Sequence, residues 1–322
     1  MFAAGCAGSQ DVARDDLIAT PTQNPNLPAT PAGWFAVAPA PLDLTEVAAA
    51  GFAGSVWVVG GLDTRGQAAR DVQVYDPNFD TWAPGPELLE PLHHASLVST
   101  ASKLWVIGGF RGPGYDAPTA QVWVLDSATG DWAEGPALPE ARAAGAAAWD
   151  GDRIVFGGGV GSDREPRADV FAFHDGAWEV VTKLSHPREH LGAASDGKGT
   201  VWFMGGRRGS LATNSSLVEV LQGKELRAGP SLPTPRGGVG AFWAPQTGAC
   251  LLGGESSAGT YSVGECVDAN GKVRTLPAMT QPRHGLGVAL VDGIVYAAVG
   301  GPVPGLSATA IVEALHLESL AS

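Results

Sequence analysis

Six times along this 322-residue chain a glycine pair closes a short apolar run: Gly60-Gly61, Gly108-Gly109, Gly157-Gly158, Gly205-Gly206, Gly253-Gly254 and Gly300-Gly301. The intervals are 48, 49, 48, 48 and 47 residues. One diglycine is a weak turn signal. Six at near-constant spacing define a repeat, and a period of about 50 residues is that of an array in which each unit is one small sheet.

The runs before the pairs read Ser55-Val-Trp-Val-Val59, Lys103-Leu-Trp-Val-Ile107, Arg153-Ile-Val-Phe156, Thr200-Val-Trp-Phe-Met204, Cys250-Leu-Leu252 and Ile294-Val-Tyr-Ala-Ala-Val299. Strands apolar on both faces must be sandwiched between neighbouring sheets. Ahead of them stand small-residue strands such as Gly145-Ala-Ala-Ala148, Gly192-Ala-Ala194 and Gly287-Val-Ala-Leu290, suited to a crowded axis. After each pair a loop leads to a third strand, as in Val72-Gln-Val-Tyr75, Val122-Trp-Val-Leu125, Val170-Phe-Ala-Phe173 and Leu217-Val-Glu-Val220. Turns such as Asp76-Pro-Asn-Phe-Asp80 then open a fourth strand at Trp82 or Trp178. Four antiparallel strands make one propeller blade.

From about residue 31 to 318 the chain resembles the kelch repeat family: apolar strand, Gly-Gly, third strand, turn, Trp, then a Pro-Arg step. The step recurs as Pro187-Arg188, Pro235-Arg236 and Pro282-Arg283, with Ala141-Arg142 as a variant. Repeats four and five carry Leu226-Arg227 and Val273-Arg274 in place of the Trp, and Leu42 and Leu92 stand where Arg is expected in the first two. The sixth repeat ends after its third strand, Ala310 to Leu317, while Gly33-Trp34-Phe-Ala-Val37 precedes the first. The expected fold is all-β, a six-bladed kelch-type β-propeller over residues 31–322 with its last blade closed by an N-terminal strand.

A net charge of −13 and the absence of a basic run exclude a nucleic-acid partner, because phosphate binding requires clustered Lys and Arg. The longest apolar runs are far short of the ~20 residues that cross a bilayer as a helix. Residues 1–30 read as a signal remnant and flexible tether, with Ala3-Ala4-Gly5-Cys6 resembling the end of a bacterial lipoprotein signal. A charged n-region and an apolar h-region are missing, so Cys6 is read either as a lipidation site or as an incidental cysteine. Cys250 and Cys266 fall on adjacent strands of one hairpin, as a disulfide or as two buried thiols. Lipid on Cys6 would be the sole membrane attachment, at the bacterial cell envelope; the alternative is a cytoplasmic protein.

The kelch resemblance implies a binding face formed by the loops after the diglycines and by the residues after the Pro-Arg step. Carried over, these are Asp63, Arg65, Arg111, Asp163, Arg164, Arg207, Arg208 and Glu255 from the first set, and His93, His94, Glu189, His190 and His284 from the second. Loop arginines offer planar donor forks for an anionic group, or are simply solvated. The step arginines Arg142, Arg188, Arg236 and Arg283 follow the repeat and read as structural. With no helix-borne His pair and no Cys-x-x-Cys, no metal and no cofactor are expected. A galactose oxidase type of copper site is disfavoured by the scarcity of Tyr.

Two functions remain: a non-catalytic ligand- or protein-binding propeller, acting as a monomer on an unidentified protein or a small anionic or carbohydrate ligand, or an enzyme resembling the exported bacterial kelch sialic acid mutarotases. In the second, Glu189 and Glu255 are the acid/base candidates and Arg207 or Arg208 holds the carboxylate.

Overall fold

The computed structural model describes residues 33–126 and 130–320; Cys6 and the tether lie outside the described residues. Six antiparallel sheets built on four strands follow one another along the chain, the fifth carrying an extra short strand, Gly259–Thr260. Their inner strands are Ala48–Phe52, Ser96–Ser99, Ala146–Trp149, Gly192–Ser195, Gly237–Ala244 and Gly287–Val291, which we number as blades 1 to 6. Each inner strand packs on the next, and the ring closes between Gly287–Val291 and Ala48–Phe52. Their small residues are needed because the axis is crowded: a Cβ on Gly192 would lie 2.8 Å from that of Ala241 in the next blade.

The ring is closed by the front of the chain. Phe35–Ala36 pairs antiparallel with Val312–His316 as the outer strand of blade 6, in the register Phe35 to Ala314 and Ala36 to Glu313. Trp34 donates from Nε1 to the Pro277 carbonyl of blade 5 at 2.9 Å. The same staple joins other neighbours, with Trp132 bonded to Pro86 O at 2.8 Å and Trp178 to Pro136 O at 2.8 Å. At that register blade 4 has Leu226 and blade 5 has Val273. Blade 5 is instead cross-linked by a disulfide between Cys250 and Cys266, directly opposite each other on its second and third strands. At a sequence separation of 16, the chain-entropy model assigns the bond about 3 kcal/mol.

Two glycine pairs sit one residue away from where spacing put them. In the run Gly157-Gly158-Gly159 the first glycine ends a strand and the next two take positive φ, at 69° and 88°. In blade 6 the pair is Val299 and Gly300, at φ 53° and 103°, and Gly301 does not share this conformation. The reason is a second ring of backbone bonds. The amides of Gly61, Gly109, Gly159, Gly206, Gly254 and Gly300 donate to the carbonyls of Leu92, Arg142, Arg188, Arg236, Arg283 and Leu44. Blade is thus bolted to blade at every diglycine. The same bonds show that the first blade's counterpart of the step arginine is buried Leu44, whereas Leu42 is exposed.

The step arginines are buried beneath this ring. Arg188 pairs with Glu219, Arg236 with Glu265 at 2.7 Å and Arg283 with Glu313 at 2.8 Å, each Glu coming from the third strand of the same blade. Arg142 meets Glu140 at 2.7 Å and lies over the Phe171 ring. Where the arginine is Leu44 or Leu92, the third-strand position holds uncharged Gln73 or Trp123. At this third-strand position a Glu therefore appears only where a step arginine stands opposite it. Among the described residues no helix is long and apolar enough to cross a membrane.

Candidate functional site

Two residues past each step position the chain turns through a left-handed conformation: Glu46, His94, Ala144, His190, Gly238 and Gly285, with φ between 53° and 70°. These six form a hydrogen-bonded circle around the axis. The amides of His94, Ala144, His190, Gly238 and Gly285 donate to the carbonyls of Glu46, His94, Ala144, His190 and Gly238, at 2.8 to 3.0 Å. Val47 N closes it on Gly285 O at 3.3 Å. One residue earlier, each blade forms a short bridge with the residue following its diglycine. The pairs are Thr45 with Leu62, His93 with Phe110, Ala143 with Val160, Glu189 with Arg207, Gly237 with Glu255 and His284 with Gly301. The partner is apolar in blades 1 to 3 and charged in blades 4 and 5.

The throat side chains meet across the axis. His94 Nε2 lies 2.9 Å from His190 Nε2 and 3.2 Å from Glu46 Oε2. His284 Nδ1 is 3.3 Å from Glu46 Oε1, and His93 Nδ1 is 2.6 Å from His94 Nδ1. Glu189 contacts the His190 ring through Nδ1. Arg207 donates to both Glu189 Oε1 at 3.2 Å and Glu255 Oε1 at 2.7 Å. The Glu255 carboxylate also accepts from Gly305 N at 3.0 Å.

Burial shapes the charges. It would raise the Glu46 carboxyl, but the surrounding imidazoles of His94, His284 and His190 outweigh it and hold Glu46 well below its ordinary value. Burial pushes His93 down to about 4, with His94 adding to the effect. His94 and His190 are also lowered, first by burial and then by Arg207. His284 is opposed by burial, yet its hydrogen bond to Glu46 raises it.

A cavity of about 410 Å³ opens above the throat. Its lining combines Phe110, Tyr115, Val160 and Leu211 with Arg164, Glu189, His190, Arg207 and Glu255. A smaller cavity of about 130 Å³ continues down to Glu46, His94 and His284. Of the residues named from sequence, His93, His94, Arg164, Glu189, His190, Arg207, Glu255 and His284 converge here, Arg164 lining the larger cavity while lying 3.4 Å from Asp116. The others stand on the rim. Asp63 pairs with Arg65 at 2.8 Å, Arg111 with Glu90 at 2.8 Å and Asp163 with Arg167 at 2.8 Å, while Arg208 is exposed.

Sequence reasoning missed Glu46, Tyr115 and the apolar lining. Glu46 was findable. Gly108 lies 16 residues after Leu92, and counting back 16 from Gly60 reaches Leu44, which makes Glu46 the counterpart of His94. Tyr115 comes from a loop of no fixed length, folding its ring against His93, His94 and Phe110 with centroids 5.3 to 5.7 Å away.

This geometry agrees with what the chain is similar to. A family model described as the kelch motif matches residues 44–89 and 91–139, which correspond to blades 1 and 2. Kelch-like protein 35 of Mus musculus is 30% identical over 159 residues, covering 48% of this chain and 26% of the relative. Beta-scruin of Limulus polyphemus is 26% identical over 210 residues, covering 61% of this chain and 23% of its own length. The chain thus spans about a quarter of the length of these curated relatives. The solved structure of YjhT superposes with a TM-score of 0.70 at 13% identity, over 85% of this chain and 95% of that one, a likeness of fold. The described residues form a six-bladed β-propeller, and the kelch motif is matched in its first two blades.

Proposed function

We propose that the propeller binds a small polar ligand, carbohydrate-like and carrying an anionic group, in the cavity above the throat. The observation that carries this reading is the mixed lining. Phe110, Tyr115, Val160 and Leu211 share one cavity with Glu189, Arg207 and Glu255. A sugar ring has the matching mixture, with C–H groups on one face and hydroxyls at its edge. Arg164 and Arg207 are the arginines that line the cavity, and Arg207, already held between Glu189 and Glu255, directs its guanidinium to the place where an acidic substituent would sit.

Titration calorimetry with neutral and acidic monosaccharides tests the reading. Saturable binding of an acidic sugar is expected, weakened at least about tenfold by Tyr115→Ala and by Arg207→Ala. Binding unchanged in both variants, or seen only with macromolecules, would overturn it. A second reading, anomer interconversion of a sialic acid-type sugar, is favoured by the two buried carboxylates Glu189 and Glu255 meeting one guanidinium in the same cavity. It requires faster anomer exchange by NMR than in buffer, lost in Glu189→Gln and Glu255→Gln.

A cell-envelope location is part of this proposal; the lipoprotein-like Cys6 and the buried Cys250–Cys266 bond support it, since structural disulfides persist in oxidising compartments. Fractionation of the native host should find the chain in membranes, with a lipid-sized mass on the Cys6 peptide. A cytosolic protein with free Cys250 and Cys266 would exclude this location.

A further inference from the structure

The throat circle holds a set of donors that a binding pocket for sugar does not require. Glu46, His94 and His190 each present one ligand atom within 4.8 Å of the others, and two of the separations are 3.2 and 2.9 Å. Tetrahedral Zn²⁺ with bonds of about 2.0–2.1 Å sets its donors roughly 3.3 Å apart. We propose that Glu46, His94 and His190 form a binding site for one first-row divalent metal ion of the Zn²⁺ class at the propeller axis.

Three further observations support the site. The first is the outer layer. Each ligand's remaining polar atom faces a partner: His190 Nδ1 faces Glu189, His94 Nδ1 faces His93 at 2.6 Å, and Glu46 Oε1 faces His284 at 3.3 Å. Metal-binding imidazoles and carboxylates are held in this way, with the second atom fixed so that the first points at the ion. The second is charge. Three carboxylates, Glu46, Glu189 and Glu255, gather around the throat with one arginine, Arg207, among them. A cation is favoured in such a setting. The third is access. The cavity of about 130 Å³ reaches Glu46, His94 and His190 from the loop side, leaving room for water or a ligand atom at a fourth position. Two imidazoles and one carboxylate, without thiolate, select this metal class over Ca²⁺, Mg²⁺ or Cu(I).

The backbone prepares the site. All three ligands occupy the same slot in blades 1, 2 and 4 and are linked through the closed circle of amide bonds, so their Cα positions are set before any ion arrives. The equivalent slot in blade 3 is Ala144 at φ 54°, so alanine is compatible with this conformation.

The test uses the full purified chain, stripped with chelator and dialysed, and titrated with ZnCl₂ and separately with CoCl₂. One ion per chain is expected, with a visible d–d band for the cobalt form. His94→Ala and His190→Ala should each weaken zinc binding by at least about 100-fold while retaining a cooperative melt. Glu189→Gln should keep the stoichiometry and weaken binding about 10- to 100-fold, as loss of an outer partner does. Should an alanine variant fail to fold, Glu46→Gln makes the same comparison. No uptake by the native chain, or zinc binding unchanged in the variants, would overturn the proposal. No sugar is present in these titrations, so their outcome is separate from that of the cavity reading.

Discussion

Removing residues 33–40 should abolish the cooperative thermal transition of the whole propeller, not only of blade 6. This short segment joins three blades at once. Phe35 and Ala36 complete the sheet of blade 6, and Val37 N and Ala40 N continue the ladder to Val312 O and Ala310 O at 3.2 and 2.8 Å. Trp34 is buried against blade 5. Ala38 reaches blade 1, donating to Asp80 Oδ1 at 2.8 Å and accepting from Trp82 Nε1 at 2.9 Å. Loss of the tryptophan alone corresponds to about 3–5 kcal/mol, against a typical domain stability of about 5–15 kcal/mol. Opening the edge of Val312–His316 adds unpaired backbone groups. Circular dichroism melts check the expectation, and a synthetic peptide of residues 31–42 added in trans should restore part of the transition. A truncated chain that melts cooperatively within a few degrees of the parent would show that the ring does not depend on its closing strand.

The second large effect concerns the buried ion pairs. Arg236→Leu should destabilise the fold by about 3–5 kcal/mol, because it strands the Glu265 carboxylate in the interior. Arg236→Leu combined with Glu265→Gln should recover most of that loss. Blade 1 already contains the answer, with Leu44 beneath the ring and Gln73 at the same place on the third strand. Gln73 Oε1 accepts from Leu42 N at 2.9 Å, the bond that Glu265 makes to Thr234 N at 3.3 Å and Glu313 to Thr280 N at 2.7 Å. Glutamine thus keeps the cap and drops the charge. Arg283 has the same dependence, its guanidinium pushed down to about 10 by burial against the opposing pull of Glu313. Chemical denaturation midpoints of the single and double variants decide the matter: a double variant as unstable as the single would refute the pairing argument.

Much of this fold was legible because the repeat is written in backbone constraints. A left-handed residue facing a neighbouring carbonyl excludes side chains, as at Gly205, where a Cβ would lie 2.8 Å from Arg236 O. Period, blade number and closure by Trp34 follow from such positions. Misreadings arose where the constraint was met by other residues. The third pair was displaced because three glycines stand in a row, and the sixth because Val299 adopts the conformation that glycine takes elsewhere. The partners of the step arginines were less visible, although a Glu inside the apolar strand Leu217-Val-Glu-Val220 was their signal, matched by Glu265 and Glu313. The site was legible by half. The histidines and Glu189 sit at fixed offsets from the arginine, whereas Glu46 follows a step that has lost both Pro and Arg, and Tyr115 depends on how a variable loop folds back. Offsets carry over from blade to blade; loop conformations do not.

The amide circle at the throat separates what the architecture demands from what the site contains. Each blade must supply one left-handed residue whose C=O passes the bond onward, and the backbone bonds themselves do not fix the identity of its side chain. The throat therefore behaves as a six-place register, read here as Glu, His, Ala, His, Gly, Gly. New chemistry can be written into it at Ala144 or Gly238, whereas a Cβ at Gly285 would lie 2.7 Å from Glu46 N. Its diameter is not adjustable in the same way, since widening the throat means breaking the circle, so a molecule arriving from the loop side meets a fixed floor and is selected by the side chains standing on it.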